Sequence, residues 1–151
     1  MPSDKVKELT RLGREFLKYN DFGVTEPSDQ QQKLPQPPLV KEKMTDQQID
    51  LPIDFENLDI NSDMLQVFNQ RESHRVYTQK DMSLLQLSYL LWTTQGVKSI
   101  RGNNYATLRT VPSGGARHEF ETYLIVKNVS GLKQGSYHYL PMTKQDIPDT
   151  M

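Results

Sequence analysis

The stretch from Gly23 to Ile60, GVTEPSDQQQKLPQPPLVKEKMTDQQIDLPIDFENLDI, does most to limit what this chain can fold into. It holds five of the nine prolines in a chain of 151 residues and repeats at neither the helical nor the strand period. Each proline fixes φ and removes a backbone donor, so the stretch suits neither a core helix nor an interior strand. It predicts an extended arm or linker over 23–61, with LPQPPL as a polyproline-like segment lying along the protein surface. That leaves 1–22 as an N-terminal amphipathic helix and 62–151 as the part that must supply a core.

Bulk composition agrees. The hydrophobic fraction is 35% and the mean hydropathy −0.70, low values that mean part of the chain adds nothing to a core. There is no cysteine, so disulfide frameworks and thiolate metal sites are excluded, and a reducing compartment is the expectation. No window approaches the roughly 20 apolar residues of a membrane helix. The N-terminus MPSDKVKELTRLGREFLKYN lacks the apolar centre of a signal peptide, so a cytoplasmic protein with no membrane partner is expected. The net charge of −1 is uneven: Arg71 to His118 carries seven Lys/Arg against two acids. A basic segment in an otherwise acidic chain points to a local anionic partner rather than to general adhesion to nucleic acid.

Periodicity locates the elements. Val6, Leu9, Leu12, Phe16 and Tyr19 fall on one stripe of a helix over 4–19 that Ser3 or Asp4 caps. A second helix starts at Ser62 or Asp63, turns Met64, Leu65, Val67 and Phe68 inward, and frays in RESHRVY. The third, SLLQLSYLLWTTQ, has a capping box in Ser83 and Gln86, an apolar face of Leu84, Leu87, Leu90, Leu91 and Trp92, and Gly96 as its stop. Residues 98–108, KSIRGNNYATL, read as loop. Phe120–Lys127 reads as a strand, apolar on both faces and hence central, and SYHYLP as a strand returning after the NVSGLKQG turn.

Two clusters can carry chemistry. Arg71, Ser73 and Arg75 alternate at the end of the second helix, placing two guanidinium forks and a hydroxyl within reach of one anion; a surface salt-bridge cluster uses the same residue types. From Pro112 to His118, proline stiffens the entry to a turn, Gly114 and Gly115 let backbone approach a ligand, and successive N–H groups suit an anion or the edge of a planar ring. A plain glycine loop before a strand is the competing reading. His74, His118 and His138 have no metal-ligand spacing, and no HExxH, GxSxG or P-loop motif is present.

Taken in order, RESHRVY, SLLQLSYLLWTTQGV, TLRTVPSGGARHEFETYLIV and GLKQGSYHY resemble the nitroreductase superfamily, and within it the SagB-type dehydrogenase branch that includes azoline oxidases of modified peptides. The resemblance runs from about Asp63 to Leu140; LGREFLKYN and KLPQPPL also look like the leader of standalone members. It implies an α+β, nitroreductase-like FMN-dependent fold, a homodimer with flavin at the subunit interface, NAD(P)H as an electron donor, and a small-molecule or peptide-heterocycle substrate. Matched residue by residue, Arg71, Ser73 and Arg75 hold the FMN phosphate and ribityl chain, Pro112, Ser113 and Gly114 approach the flavin ring, and His118 falls where relatives carry a polar residue.

The family domain continues beyond the SYHYLP strand, whereas this sequence stops at TKQDIPDTM, so the expectation is the N-terminal portion of such a domain, apparently truncated. No catalytic side chain is carried over. The alternative expectation is a non-catalytic remnant or split subunit that binds a completing chain. A nucleic-acid binder ranks last, because the aromatic residues sit among leucines and read as core.

Overall fold

The computed structural model describes residues 3–18 and 26–142. Its elements are α1 (Asp4–Lys18), a 3-10 turn at Phe55–Asn57, α2 (Met64–Gln70), α3 (Leu84–Gln95), β1 (Val97–Arg101), β2 (Ala106–Arg109), a 3-10 turn at Gly114–Ala116, β3 (Thr122–Val126) and β4 (Gly135–Tyr139). The chain forms two compact units, Met1–Pro37 and Pro38–Met151, whose boundary falls inside the proline-rich arm.

In the first unit, Ser3 caps α1: the Val6 N–H donates to its hydroxyl at 3.4 Å. Arg11 bridges Glu8 at 2.7 Å and Glu15 at 2.6 Å on the polar face. The apolar stripe of Val6, Leu9, Leu12 and Phe16 is present and exposed within this unit. Tyr19, expected to extend it, lies outside the described residues.

The second unit is built on α3. The Gln86 N–H donates to the Ser83 hydroxyl at 3.1 Å, and the Gln86 side chain accepts from the Ser83 N–H at 2.9 Å, the reciprocal box anticipated from sequence. The helix buries Leu87, Ser88 and Leu91, whereas Leu90 and Trp92 remain largely exposed. Part of the arm covers the Ser88 side: the Ser88 hydroxyl donates to the Pro52 carbonyl at 2.6 Å, and Phe55 packs edge-on against Tyr89 and beside Trp92, with ring centroids 5.4 and 5.5 Å apart. Gly96 ends the helix, but not by a left-handed conformation. Its φ is −59°, and a Cβ there would stand 2.5 Å from both Cδ1 and the carbonyl oxygen of Trp92. Glycine is required for space.

Three expectations change. Residues 98–108 are not a loop: β1 and β2 form an antiparallel hairpin, with a bulge at Lys98, around Gly102 and Asn104 in left-handed conformation. The turn chemistry was in the sequence; the flanking strands are too short and polar to announce themselves. β3 is not central. It pairs with β4 alone, in the register Tyr123 to His138 and Ile125 to Ser136, leaving Ile125 91% exposed. Its apolar run shows that both faces suit burial without saying what covers them. In α2, Asp63 is the cap and accepts from the Gln66 N–H at 3.0 Å, but Met64, Leu65 and Phe68 point outward rather than inward.

Among the described residues the buried apolar side chains are Leu87 and Leu91 of α3, Ala106 of β2 and Val126 of β3, so the core draws on α3 and both hairpins. Met82 adds a parallel bridge to Val129: its N–H donates to the Asn128 carbonyl at 3.2 Å, and its own carbonyl accepts from the Ser130 N–H at 2.9 Å. Among the described residues, no helix is long and apolar enough to cross a membrane.

Candidate functional site

The turn between β2 and β3 is where sequence and backbone depart most from an ordinary connection. Gly115, Ala116 and His118 all have positive φ, at 66°, 54° and 49°. Glycine adopts that conformation freely, whereas alanine and histidine are strained in it and must be held. The Ala116 N–H donates to the Ser113 carbonyl at 3.1 Å, the His118 N–H donates to the Ser113 hydroxyl at 3.0 Å, and that hydroxyl donates to Glu119 Oε2 at 3.3 Å. Ser113 thus gathers the loop around itself. Gly114 is free of strain, and nothing lies within 4 Å of the position a Cβ would take, so the outer face of the turn is open.

Below the turn sits a group the sequence gave no reason to single out. In β2 the burial pattern is inverted: Leu108 is 42% exposed and Arg109 only 9%. The Arg109 guanidinium donates from Nε to Thr107 Oγ1 and from Nη1 to Gln95 Oε1, both at 3.1 Å. Burial lowers its pKa, partly offset by Glu121 and Tyr139. It borders a cleft of about 10 Å³, shared with Gln95, Glu121 and Tyr139. That is room for one water.

His118 belongs to both layers. Burial and then the nearby Arg109 cation push its pKa below the ordinary 6.5, against smaller opposing effects of Glu119 and of a hydrogen bond to the Thr107 backbone. A second histidine, His138, whose side chain is buried, holds Glu121 Oε2 at 2.7 Å from Nε2 and stacks on Tyr123 at 4.7 Å, with Nδ1 unpartnered. Lys41, from the arm, donates to the Tyr123 hydroxyl at 3.1 Å. A lone histidine in an apolar strand looks like core, and nothing in the sequence distinguished this one.

Arg71, Ser73 and Arg75 follow α2 in a segment without helix or strand, and all three are exposed. Their i, i+2, i+4 spacing places side chains along one side of an extended chain. Between them, His74 Nδ1 lies 3.6 Å from Glu72. Among the described residues the three make no hydrogen bond or ion pair with the Pro112–His118 turn. The structure therefore joins Ser113 to His118 and leaves the arginine cluster separate. No group of metal-ligating side chains occurs among the described residues.

No protein-family model matches the sequence. The chain is similar to a protein of Methanocaldococcus jannaschii that carries the name "Putative nitroreductase MJ1384", with 37% identity over 75 residues; the match covers 50% of this chain and 35% of that protein. The chain thus spans about a third of the length of this relative. The similarity supports a relationship to the nitroreductase superfamily, and helices with small antiparallel sheets are compatible with an α+β fold of that type.

Proposed function

We propose that the chain contributes the flavin-holding part of an FMN-dependent oxidoreductase of the nitroreductase superfamily, of the SagB-type dehydrogenase branch. The observation that carries this reading is the Pro112–His118 turn: a strained backbone pinned from beneath by Ser113, with its outer face left open at Gly114. The donor set suits FMN. Arg71 and Arg75 present guanidinium groups to a phosphate and Ser73 a hydroxyl to the ribityl chain, while Pro112, Ser113 and Gly114 offer backbone to the edge of a planar ring. His118 would shape that turn from its base.

The chemistry FMN supplies when bound is hydride acceptance, from NAD(P)H or a substrate, and onward transfer of the electrons to an acceptor. This chain's residues bind the phosphate, orient the ring and exclude water. The substrate class is a small molecule or peptide heterocycle, and the working form is a homodimer or an assembly with a completing subunit in the cytoplasm.

A second reading, a dimerising or partner-binding module without catalysis, is favoured by one observation. Large apolar side chains on α2 and β3, notably Leu65 at 71% and Ile125 at 91%, are exposed.

The test is to add FMN to the purified protein, remove the excess and record the flavin absorbance band. Retained flavin is expected. Replacing Arg71 or Arg75 by Ala is expected to weaken FMN binding about 10- to 100-fold, the loss of a charge-assisted bond, without changing stability, since both are exposed. Unchanged affinity in both variants would overturn the phosphate assignment. A colourless protein that still associates with another chain would favour the second reading.

A further inference from the structure

We infer that Arg109 is a positioning residue that braces the Pro112–His118 turn by tying β2, the strand that leads into it, to the end of α3. The first ground is placement. A guanidinium at 9% exposure, beside a leucine at 42% on the same four-residue strand, reverses the usual order of burial. Buried charges are ordinarily paired. Among the described residues no carboxylate pairs with Arg109; its hydrogen-bond partners are the neutral Thr107 and Gln95 side chains. Leaving a cation there is costly, and stability alone does not account for it.

The second ground is what those partners hold. Gln95 is the last residue of α3, where a cation also complements the helix dipole. At the same helix end the Thr110 N–H donates to the Gly96 carbonyl at 3.0 Å and the Thr110 hydroxyl to the Trp92 carbonyl at 2.8 Å, fixing the chain where it enters the turn. Thr107 lies in the strand that leads to the turn, and its hydroxyl accepts from Arg109. Arg109 therefore links the end of α3 to the middle of β2, the strand that leads into the turn. Two of the non-glycine residues at positive φ, Ala116 and His118, lie in that turn and need such restraint.

The charged and titratable groups that face His118 are Arg109 and Glu119; those that face Arg109 include Glu121 from the start of β3 and Tyr139 from β4. A neutral His118 fits beside the Arg109 cation, and a protonated one is repelled by it. The bracing rests on the flavin reading in one respect, that the braced turn is the one assigned to the flavin ring.

The experiment reads the turn without any cofactor. Nitrogen-detected NMR of the His118 imidazole and amide exchange of Ser113 to His118 are followed in the wild type, Arg109→Gln, Arg109→Lys and Thr107→Val, with FMN retention measured in parallel. In the wild type the imidazole should be one fixed tautomer that titrates below its ordinary pH. Arg109→Gln should raise that titration and speed turn exchange at least about tenfold. Arg109→Lys should keep the low titration while still losing exchange protection, because the charge stays and the fork is lost. If the Arg109 variants fail to fold, Thr107→Val removes only the hydroxyl acceptor and should loosen the turn in the same way.

Unchanged His118 titration and unchanged turn exchange in folded Arg109→Gln or Thr107→Val would overturn the bracing. A wild type that retains no FMN, with His118 responding as described, would sink the flavin reading and leave the bracing intact.

Discussion

Gly114 and Gly115 are neighbours with different reasons for being glycine. Gly115 has φ 66°, so alanine there is strained by about 1 kcal/mol whatever space surrounds it. Gly114 has no such φ, and a Cβ would meet nothing within 4 Å. Gly114→Ala is therefore expected to leave stability unchanged or raise it by up to about 1 kcal/mol, through the unfolded chain, while reducing FMN retention if the ring lies on that face. Denaturant melts and flavin retention on one variant separate the two effects. His118 gives a pH dependence with a defined sign. Burial and Arg109 lower its pKa in the folded chain, so between that value and 6.5 the unfolded chain binds the extra proton. Stability should fall as pH drops below about 6.5 and be insensitive to this group above it. Denaturation midpoints across that range are expected to flatten in His118→Asn; an equally steep profile in the variant would rule out His118 as the source.

At the scale of elements, α3 shows both what a sequence announces and what it withholds. Ser83, Gln86 and the leucine spacing are local signals, and all survive folding because a cap and a helical stripe depend only on residues within one turn. Gly96 was legible as a stop, but its cause was not: only the structure shows the Trp92 ring and carbonyl 2.5 Å from the missing Cβ. Gly96→Ala should therefore destabilise by about 1–3 kcal/mol, as overpacking rather than as loss of a left-handed cap. Gly96→Asn, which a left-handed cap would tolerate, should be no better; a mild Asn variant beside a severe Ala one would argue for the cap. The β1–β2 hairpin reads as loop from sequence because its strands, VKSIR and ATLR, run over only five and four positions, too few for a period to emerge. Arg109 was hidden for the same reason. Burial of a charged residue is decided by what packs over it, here α3 and the turn, and neither is written into the local pattern. The Arg71, Ser73, Arg75 and Pro112–His118 clusters were legible as residue types, whereas the pinning of His118 to Ser113 depends on a fold the spacing does not encode.

In the second unit, exposed apolar surface gathers on α2 and β3, whose apolar residues read from sequence as inward-facing and are not. A seven-residue helix such as α2 is marginal in water on propensity alone, and a two-stranded β3–β4 sheet is weak without cover. Both elements make sense when another surface packs on them, and a standard interface needs only about 800 Å² from each side. Ile125 is the residue that discriminates. At 91% exposure, replacing it by lysine should cost the isolated chain no more than about 0.5 kcal/mol. If β3 lies in an interface with a second copy or a completing chain, the same lysine buries an unpaired cation there and should dissociate the assembly. Sedimentation velocity on the wild type is expected to show a species heavier than the monomer, and Ile125→Lys to return it to the monomer with its far-ultraviolet dichroism intact. A wild type that sediments as a well-folded monomer would mean that these faces are stable in water as they stand.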